Sequence, residues 1–423
     1  MMMKKQWGCL FMCLCLWRVT TVVCGEEPKE GLQKEIAIRS YPIDDSLGNY
    51  VFSAMAAHPN GRIYLGTSIK GRKFANLVEL DPSTGQVRGV ADMLKVTGQT
   101  DKEMVPQSKI HTQIVVDKRG RLWFGTWAEE FRNTSFRKGY PGGHLISYDP
   151  KTAQAVDHGI LVGPRIEEPK KVSDYGLYLI ALDINRDRNE LYILTGDEIR
   201  LLVYDITTGQ HFTAGIIDGP AENLVHYGIR NLKVAADGNV YIFDHWGRII
   251  RYDPERKKLE PLDLWIPGGN GQVMAQPFQV GINPSRTRIY GAGASGHRLF
   301  ELDVSPGKPP RVVDLGPAYD AFTGLERPSL SLVHAVVVAA DERVVYPSTG
   351  GKRGELFMYD PVSGMRSHLG SMRVANVDSS QSVYASGGWA GCLAPDGTIY
   401  FGGVDRGAKK EQLCFFEIRV PVR

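Results

Sequence analysis

Apolar and polar residues alternate along most of this chain in short runs of about four to eight, each closed by Gly, Pro, Asn or Asp, the pattern of half-buried β-strands. One run recurs. An apolar residue followed by an aromatic one appears at "RIY" (Tyr64), "RLW" (Trp123), "ELY" (Tyr192), "NVY" (Tyr241), "RIY" (Tyr290), "VVY" (Tyr346) and "TIY" (Tyr400). The intervals are 59, 69, 49, 49, 56 and 54 residues. Polar turns such as "HPNG", "DKRG", "AADG" and "APDG" come before the aromatics, and a second signature follows 12 to 26 residues later: "ELDP" (Asp81), "SYDP" (Asp149), "VYDI" (Asp205), "RYDP" (Asp253), "ELDV" (Asp303), "MYDP" (Asp360) and "FFEI" (Glu417). In "D-P-x-T-G" the Asp opens a turn, Pro presets φ and Gly accepts a positive φ.

Each copy therefore reads as a four-stranded antiparallel meander, and copies of about 50 residues stacked around an axis predict an all-β, seven-bladed β-propeller. No stretch sustains a 3.6-residue period. The last copy offers strands near 389–394, 397–402 and 412–420 and then stops one strand short. The strand-like run "KEIAIRSYPI" (34–43) is expected to supply that outer strand, closing the ring and removing an exposed edge.

Composition changes the picture at the start of the chain. "MMMKKQWGCLFMCLCLWRVTTVVCGEE" has two lysines, a short apolar run and small residues, the layout of a secretory signal peptide over residues 1–25. Residues 26–423 then form one propeller domain of a secreted or periplasmic protein. A lipid anchor on Cys24 is the lesser alternative. Of the 50 basic residues, Lys4, Lys5 and Arg18 leave with the leader, so 47 face 47 acidic ones. A chain so balanced carries no bulk field for nucleic acid or an anionic membrane, and any anion must be held locally. Four of six cysteines also lie in the leader, leaving Cys392 and Cys414, too few for a disulfide framework; whether they pair is open. A monomer without a membrane span is expected.

Counting twelve residues back from each aromatic gives a column on the innermost strands: Phe52, His111, Ile180, Ile229, Phe278, His334 and Gly388. Ligands of propellers usually sit at a mouth of the channel these strands surround. Two histidines fall in the column in copies 2 and 6, nearly opposite; copy 4 adds His226, Tyr227 and Arg230, and copy 5 adds Gln276. A histidine there serves either as a hydrogen-bonded wall residue or as a group poised for proton transfer near neutral pH, and the convergence favours a site. Copy 2 also carries an insertion, "AEEFRNTSFRKGYPGGH", expected to present Tyr140 and His144 from a loop, and a sequon at Asn133. Trp127, Trp246 and Trp389 either stack on a sugar or pack between copies. His245 and His297 read as turn residues. His58, His158, His211 and His368 read as surface residues. There is no GxSxG, HExxH or Walker-type loop.

"KIH" opening a strand, "DxxGRLWFGT", "YPGGH" and "SYDPKT" resemble a group of secreted seven-bladed propellers acting on rhamnose–glucuronate linkages of plant gums: L-rhamnose-α-1,4-D-glucuronate lyases and related α-L-rhamnosidases. The propeller pattern covers nearly all the mature chain, these motifs only copy 2. Where that group commonly has a histidine after "F-[AG]-T", this chain has Trp127. The resemblance implies an acidic polysaccharide or oligosaccharide partner and β-elimination: a cation neutralises the uronate carboxylate, a base takes the adjacent proton, and an acid protonates the departing oxygen. Arg230 suits the first role, His111 the second, and Tyr140 or His334 the third, with Trp127, His144, His226, Tyr227 and Gln276 against the sugar. Two alternatives stand: a non-catalytic glycan- or protein-binding propeller, and an oligogalacturonate-type lyase holding a divalent metal in the central channel through His226, Gln276 and His334.

Overall fold

The computed structural model describes residues 35–69, 73–99, 105–128, 140–164, 176–196, 198–218, 231–269, 275–293, 297–319, 333–348, 354–375, 385–405 and 412–420. These residues are strand and turn, apart from one short helix, Met93–Thr97. β1 (Glu35–Pro42) precedes the repeats. Copy 1 forms β2 (Tyr50–Ala57), β3 (Ile63–Ser68), β4 (Asn76–Asp81) and β5 (Gln86–Asp92). Copy 2 forms β6 (Lys109–Ile110), β7 (Val115–Val116), β8 (Leu122–Trp127), β9 (His144–Asp149) and β10 (Gln154–Ile160). Copies 3 and 4 form β11 (Leu179–Asn185), β12 (Glu190–Thr195), β13 (Ile199–Asp205), β14 (His211–Asp218), then β15 (Leu232–Val234), β16 (Val240–Phe243), β17 (Arg248–Asp253) and β18 (Lys258–Trp265). Copies 5 and 6 form β19 (Pro277–Ile282), β20 (Arg288–Gly293), β21 (Arg298–Asp303), β22 (Arg311–Pro317), then β23 (Val337–Val338), β24 (Val344–Pro347), β25 (Glu355–Tyr359) and β26 (Arg366–Val374). Copy 7 has β27 (Ala385–Leu393), β28 (Ile399–Asp405) and β29 (Gln412–Ile418).

Each copy is an antiparallel meander in chain order, as the repeat requires. The expected closing strand is present. Arg39–Pro42 of β1 pair antiparallel with β29, completing copy 7. Its first half does something the pattern did not suggest: Glu35–Ile38 pair in parallel with β26, so β1 ties copy 6 to copy 7. Apolar clusters fill the spaces between successive sheets, and one of them joins Val51, Leu65 and Val78 of copy 1 to Tyr400, Leu413 and Phe415 of copy 7. The ring is thus closed by packing as well as by β1. This is a β-propeller.

The repeated signatures have local physical causes. Three marker tyrosines are buried with the hydroxyl donating to a carboxylate of their own copy, Tyr64 to Glu79 at 2.6 Å, Tyr241 to Asp237 at 2.7 Å and Tyr290 to Glu301 at 2.8 Å; Trp123 Nε1 donates to Asp117 at 3.0 Å, and Tyr346 instead donates to the Ala318 carbonyl of copy 5 at 3.0 Å. An apolar body with a polar tip satisfies burial and hydrogen bonding together. The "YDP" aspartates accept backbone N–H groups two residues on, as Asp81 does from Ser83 and Asp253 from Glu255. These acids are structural. Asp81 is held down at about 2, first by the Ser83 hydroxyl. Gly125 of "F-G-T" lies where sheets meet; a Cβ there would come within 2.6 Å of Leu179 in copy 3. Cys392 and Cys414 do not pair. They sit opposite Tyr400 and Gly403 on either side of β28, two inter-strand spacings apart and beyond disulfide reach. Both are free, and burial pushes the Cys414 thiol up to about 12.

Candidate functional site

The inner strands lose regular pairing where the column residues fall. The β2–β3 register shifts between Val51 and Met55, β11–β12 between Leu179 and Ala181, β19–β20 between Pro277 and Val280, and β27–β28 between Ser386 and Ala390. In copy 2 the inner strand breaks after Ile110 and resumes at Val115, with Gly125 N donating to Thr112 Oγ1 in the gap. Such irregularities bend a strand and re-aim its side chains. Here they bring rings from neighbouring copies into contact.

The rings form one continuous path. Tyr178, just before β11, stacks on Trp127 at 4.2 Å and 7°. Trp127 meets His111 edge-on at 4.8 Å, His111 lies 5.5 Å from Phe52, and Phe52 meets Trp389 at 6.0 Å. Trp389 lies 4.3 Å from His334, which lies 4.5 Å from Phe278. This collar runs from copy 3 through copies 2, 1, 7 and 6 to copy 5. Phe52, His334 and Trp389 are partly exposed, whereas His111, Trp127, Tyr178 and Phe278 are buried.

His111 is tied to the neighbouring copy. Its Nδ1 is 3.1 Å from the Ile180 carbonyl oxygen. A carbonyl only accepts, so this contact calls for a proton on Nδ1. The side chain is 0 % exposed. Beside it is a residue that the repeat pattern gave no reason to select. Lys109 is 1 % exposed, with Nζ 3.1 Å from the Phe52 ring centroid and 4.5 Å from that of Trp127. An extended strand turns residues i and i+2 to one side, and that alternation is the signal by which Lys109 could have been found from His111.

Other expected site residues are placed differently. Tyr140 and His144 are not presented from a loop. Tyr140 is fully buried and donates to Gln107 Oε1 at 3.1 Å, where Thr126 Oγ1 also donates at 2.8 Å; Gln107 Nε2 in turn donates to the Gly142 carbonyl at 2.9 Å. Burial pushes the phenol well above its usual range. His144 opens β9: its N–H donates to Thr126 Oγ1 and its Nδ1 is 2.8 Å from Asp157 Oδ2. The same hydroxyl-to-third-strand bond recurs at Thr67–Asn76, Thr195–Arg200 and Ser348–Glu355. This "YPGGH" segment therefore closes a sheet. Gln276 is buried directly before β19. His111 and His334 stand apart, separated along the collar by Phe52 and Trp389. His226, Tyr227 and Arg230 lie outside the described residues, as do Ile229 and Asn133.

Three supposed surface histidines are built in. His58 Nε2 is 2.8 Å from the Gly120 carbonyl, His158 stacks on Trp123 at 4.5 Å, and His368 is 2.7 Å from Glu355. His211 is exposed as expected. Among the described residues no group of three His, Cys, Asp or Glu is placed to hold a metal ion. On inner strand β11, Asp183 is occupied by Arg286 and the Val234 N–H. Among the described residues, no helix is long and apolar enough to cross a membrane.

The family model described as two component regulator propeller matches residues 105–128. That stretch holds "KIH" and "DxxGRLWFGT", so these motifs mark a propeller repeat rather than rhamnose–glucuronate lyases in particular. No curated protein matches the chain. Among solved structures, the WD40 repeats of RRP9 are similar at 11 % identity and TM-score 0.55, over 92 % of this chain and 99 % of that one. Virginiamycin B lyase from Staphylococcus aureus, as a catalytically inactive variant with quinupristin, is similar at 9 % identity and TM-score 0.54, over 90 % and 99 %. The extracellular domain of a putative hybrid two component system from B. thetaiotaomicron is similar at 14 % identity and TM-score 0.52, over 90 % of this chain and 41 % of that one. Such likeness speaks to fold alone.

Proposed function

We propose that the protein is a secreted or periplasmic, monomeric seven-bladed propeller that binds an acidic oligosaccharide at the channel mouth, with the ring collar as its platform. The observation that carries this reading is the unbroken path of seven rings from Tyr178 to Phe278, with the Lys109 ammonium against two of them. A pyranose offers a flat C–H face to an aromatic ring, and the partly exposed Phe52, His334 and Trp389 supply such faces. A fixed cation beside them favours a carboxylate-bearing sugar such as a uronate over a neutral one.

Elimination at this site is the finer reading, supported by the proton that the Ile180 contact calls for on His111 Nδ1. Nε2 would take the proton from the carbon next to the uronate carboxylate, those electrons would form the carbon–carbon double bond, and the bond to the glycosidic oxygen would break. The departing oxygen would regain a proton from His334 or from His111 itself, since Tyr140 is enclosed. A rhamnose–glucuronate linkage is the substrate in this version, and a lyase among the structural neighbours is compatible with it. Burial of His111 favours binding without cleavage as the more economical reading.

The test is incubation with gum arabic and other uronate glycans, following ultraviolet absorbance of the unsaturated product and, separately, binding by calorimetry. Binding lost in Trp389→Ala with no absorbance supports the platform. Absorbance lost in His111→Ala supports the lyase. Neither binding nor absorbance overturns both.

A further inference from the structure

The sheet of copy 4 starts with β15, where Leu232 and Val234 are buried in the apolar cluster shared with copy 3 and Lys233 alternates to the other side. Lys233 keeps partial exposure on this innermost strand, so the water it meets is that of the central axis. Its surroundings are fixed from two other copies. Arg286, in the turn before β20, donates through Nε to the Val234 carbonyl at 2.8 Å and through Nη2 to Asp183 Oδ2 of β11, also at 2.8 Å. Asp183 also accepts the N–H groups of Val234 and Ile184, both at 2.9 Å. The carboxylate is therefore engaged by Arg286 and the backbone. Among the described residues no hydrogen bond or ion pair reaches Lys233 Nζ, and Tyr241, its register partner on β16, turns its hydroxyl to Asp237. Burial pushes the Lys233 ammonium below the usual lysine range; Asp183 opposes that shift and Arg286 adds to it.

We propose that Lys233 and Arg286 form a site that captures small oxo acids, with Lys233 as the amine that condenses with the carbonyl and Arg286 as the partner of the carboxylate. A lysine enclosed beside a second cation is the arrangement that frees an amine lone pair near neutral pH. Arg286 is 33 % exposed at its side chain, and among the described residues its Nη1 has no partner, which leaves that nitrogen for an anion. In the step, the neutral Lys233 amine adds to the carbonyl carbon and a carbon–nitrogen bond forms. The carbonyl oxygen then leaves as water with the two amine protons, and a carbon–nitrogen double bond remains. No oxidant or reductant is required. None of these groups belongs to the ring collar, so the site stands or falls independently of glycan binding.

The experiment is incubation of the full chain at neutral pH with glyoxylate or acetaldehyde and cyanoborohydride, which fixes an imine as a stable secondary amine for peptide mass spectrometry. Lys233 is expected to take up glyoxylate about tenfold faster than the exposed Lys151 and Lys308, because those amines are almost wholly protonated. The preference for glyoxylate over acetaldehyde should be about tenfold greater at Lys233 than at Lys151, as a carboxylate contact supplies. Lys233→Arg, which keeps the charge, should abolish the rapid phase. Labelling of Lys233 no faster than that of Lys151 overturns the proposal, and so does an equal preference at the two residues. Both readings come from the wild-type protein, so they decide the matter even where Lys233→Arg does not fold. A rapid phase that persists in a folded Lys233→Arg protein also overturns it.

Discussion

Copies 2 and 6 carry histidines at the same register of their inner strands and use them in opposite ways. His111 is enclosed, hydrogen-bonded to Ile180 of copy 3 and flanked by Trp127 and Phe52. His334 is partly exposed between Phe278 and Trp389. Further out, each copy pairs a histidine with a carboxylate between its third and fourth strands, thirteen residues apart, but in reversed order: His144–Asp157 in copy 2, Glu355–His368 in copy 6. Register fixes where a side chain starts, and neighbours from other copies decide what it becomes.

The comparison can be broken most forcefully at Gln107, which has Tyr140 and Thr126 donating to one oxygen and a buried carbonyl on its amide. Gln107→Ala is expected to cost about 3 kcal/mol in denaturant unfolding, because it strands several buried polar groups at once. Next come the inner histidines. His111→Ala should cost about 2 kcal/mol by the same measurement, for a lost bond and a cavity. His334→Ala should cost less than about 1 kcal/mol yet weaken glycan binding about tenfold by calorimetry. Equal stability losses would erase the distinction drawn between copies 2 and 6.

The reversed pairs give a smaller effect. In a double-mutant cycle, His144→Asp with Asp157→His should recover about 1 kcal/mol relative to the sum of the single changes, since copy 6 accommodates the opposite order. The smallest concerns pH. His158 is lowered below its ordinary value, first by burial and then by Arg121, and copy 6 has Leu369 at the matching position. The unfolded chain takes up this proton first as pH falls, so the His158 contribution is intact above about 6.5 and is lost towards its lower folded value. Tm should therefore fall between about pH 7 and pH 5, and His158→Gln should flatten that slope.

The meander and the "YDP" turns were legible because each follows from residues close in sequence: alternation, and an Asp accepting N–H groups two positions on. The closing strand was legible by counting, since the last copy stops one strand short. The parallel half of β1 was not, since the count asks for one partner only and β-pairing carries no sequence code for a second one or its direction. Tyr140 and His144 read as a presented loop because Pro-Gly-Gly resembles an exposed turn, and only Gln107 and Asp157, distant in sequence, show them to be structural. Lys109 escaped notice because a lysine beginning a strand looks solvated until two rings from separate strands cover it.

The sequence by itself determined the repeat, its strands and turns, the ring they must close, and the inner column on which His111 and His334 sit, because these depend on periodicity and local turn chemistry. Only the tertiary structure decided that the inner strands break where the column falls, that Tyr178, Trp389 and Lys109 join the collar, and that His111 is enclosed while His334 is not. Those outcomes depend on how neighbouring sheets pack, and burial and ring contact are properties of an assembled surface rather than of any one strand.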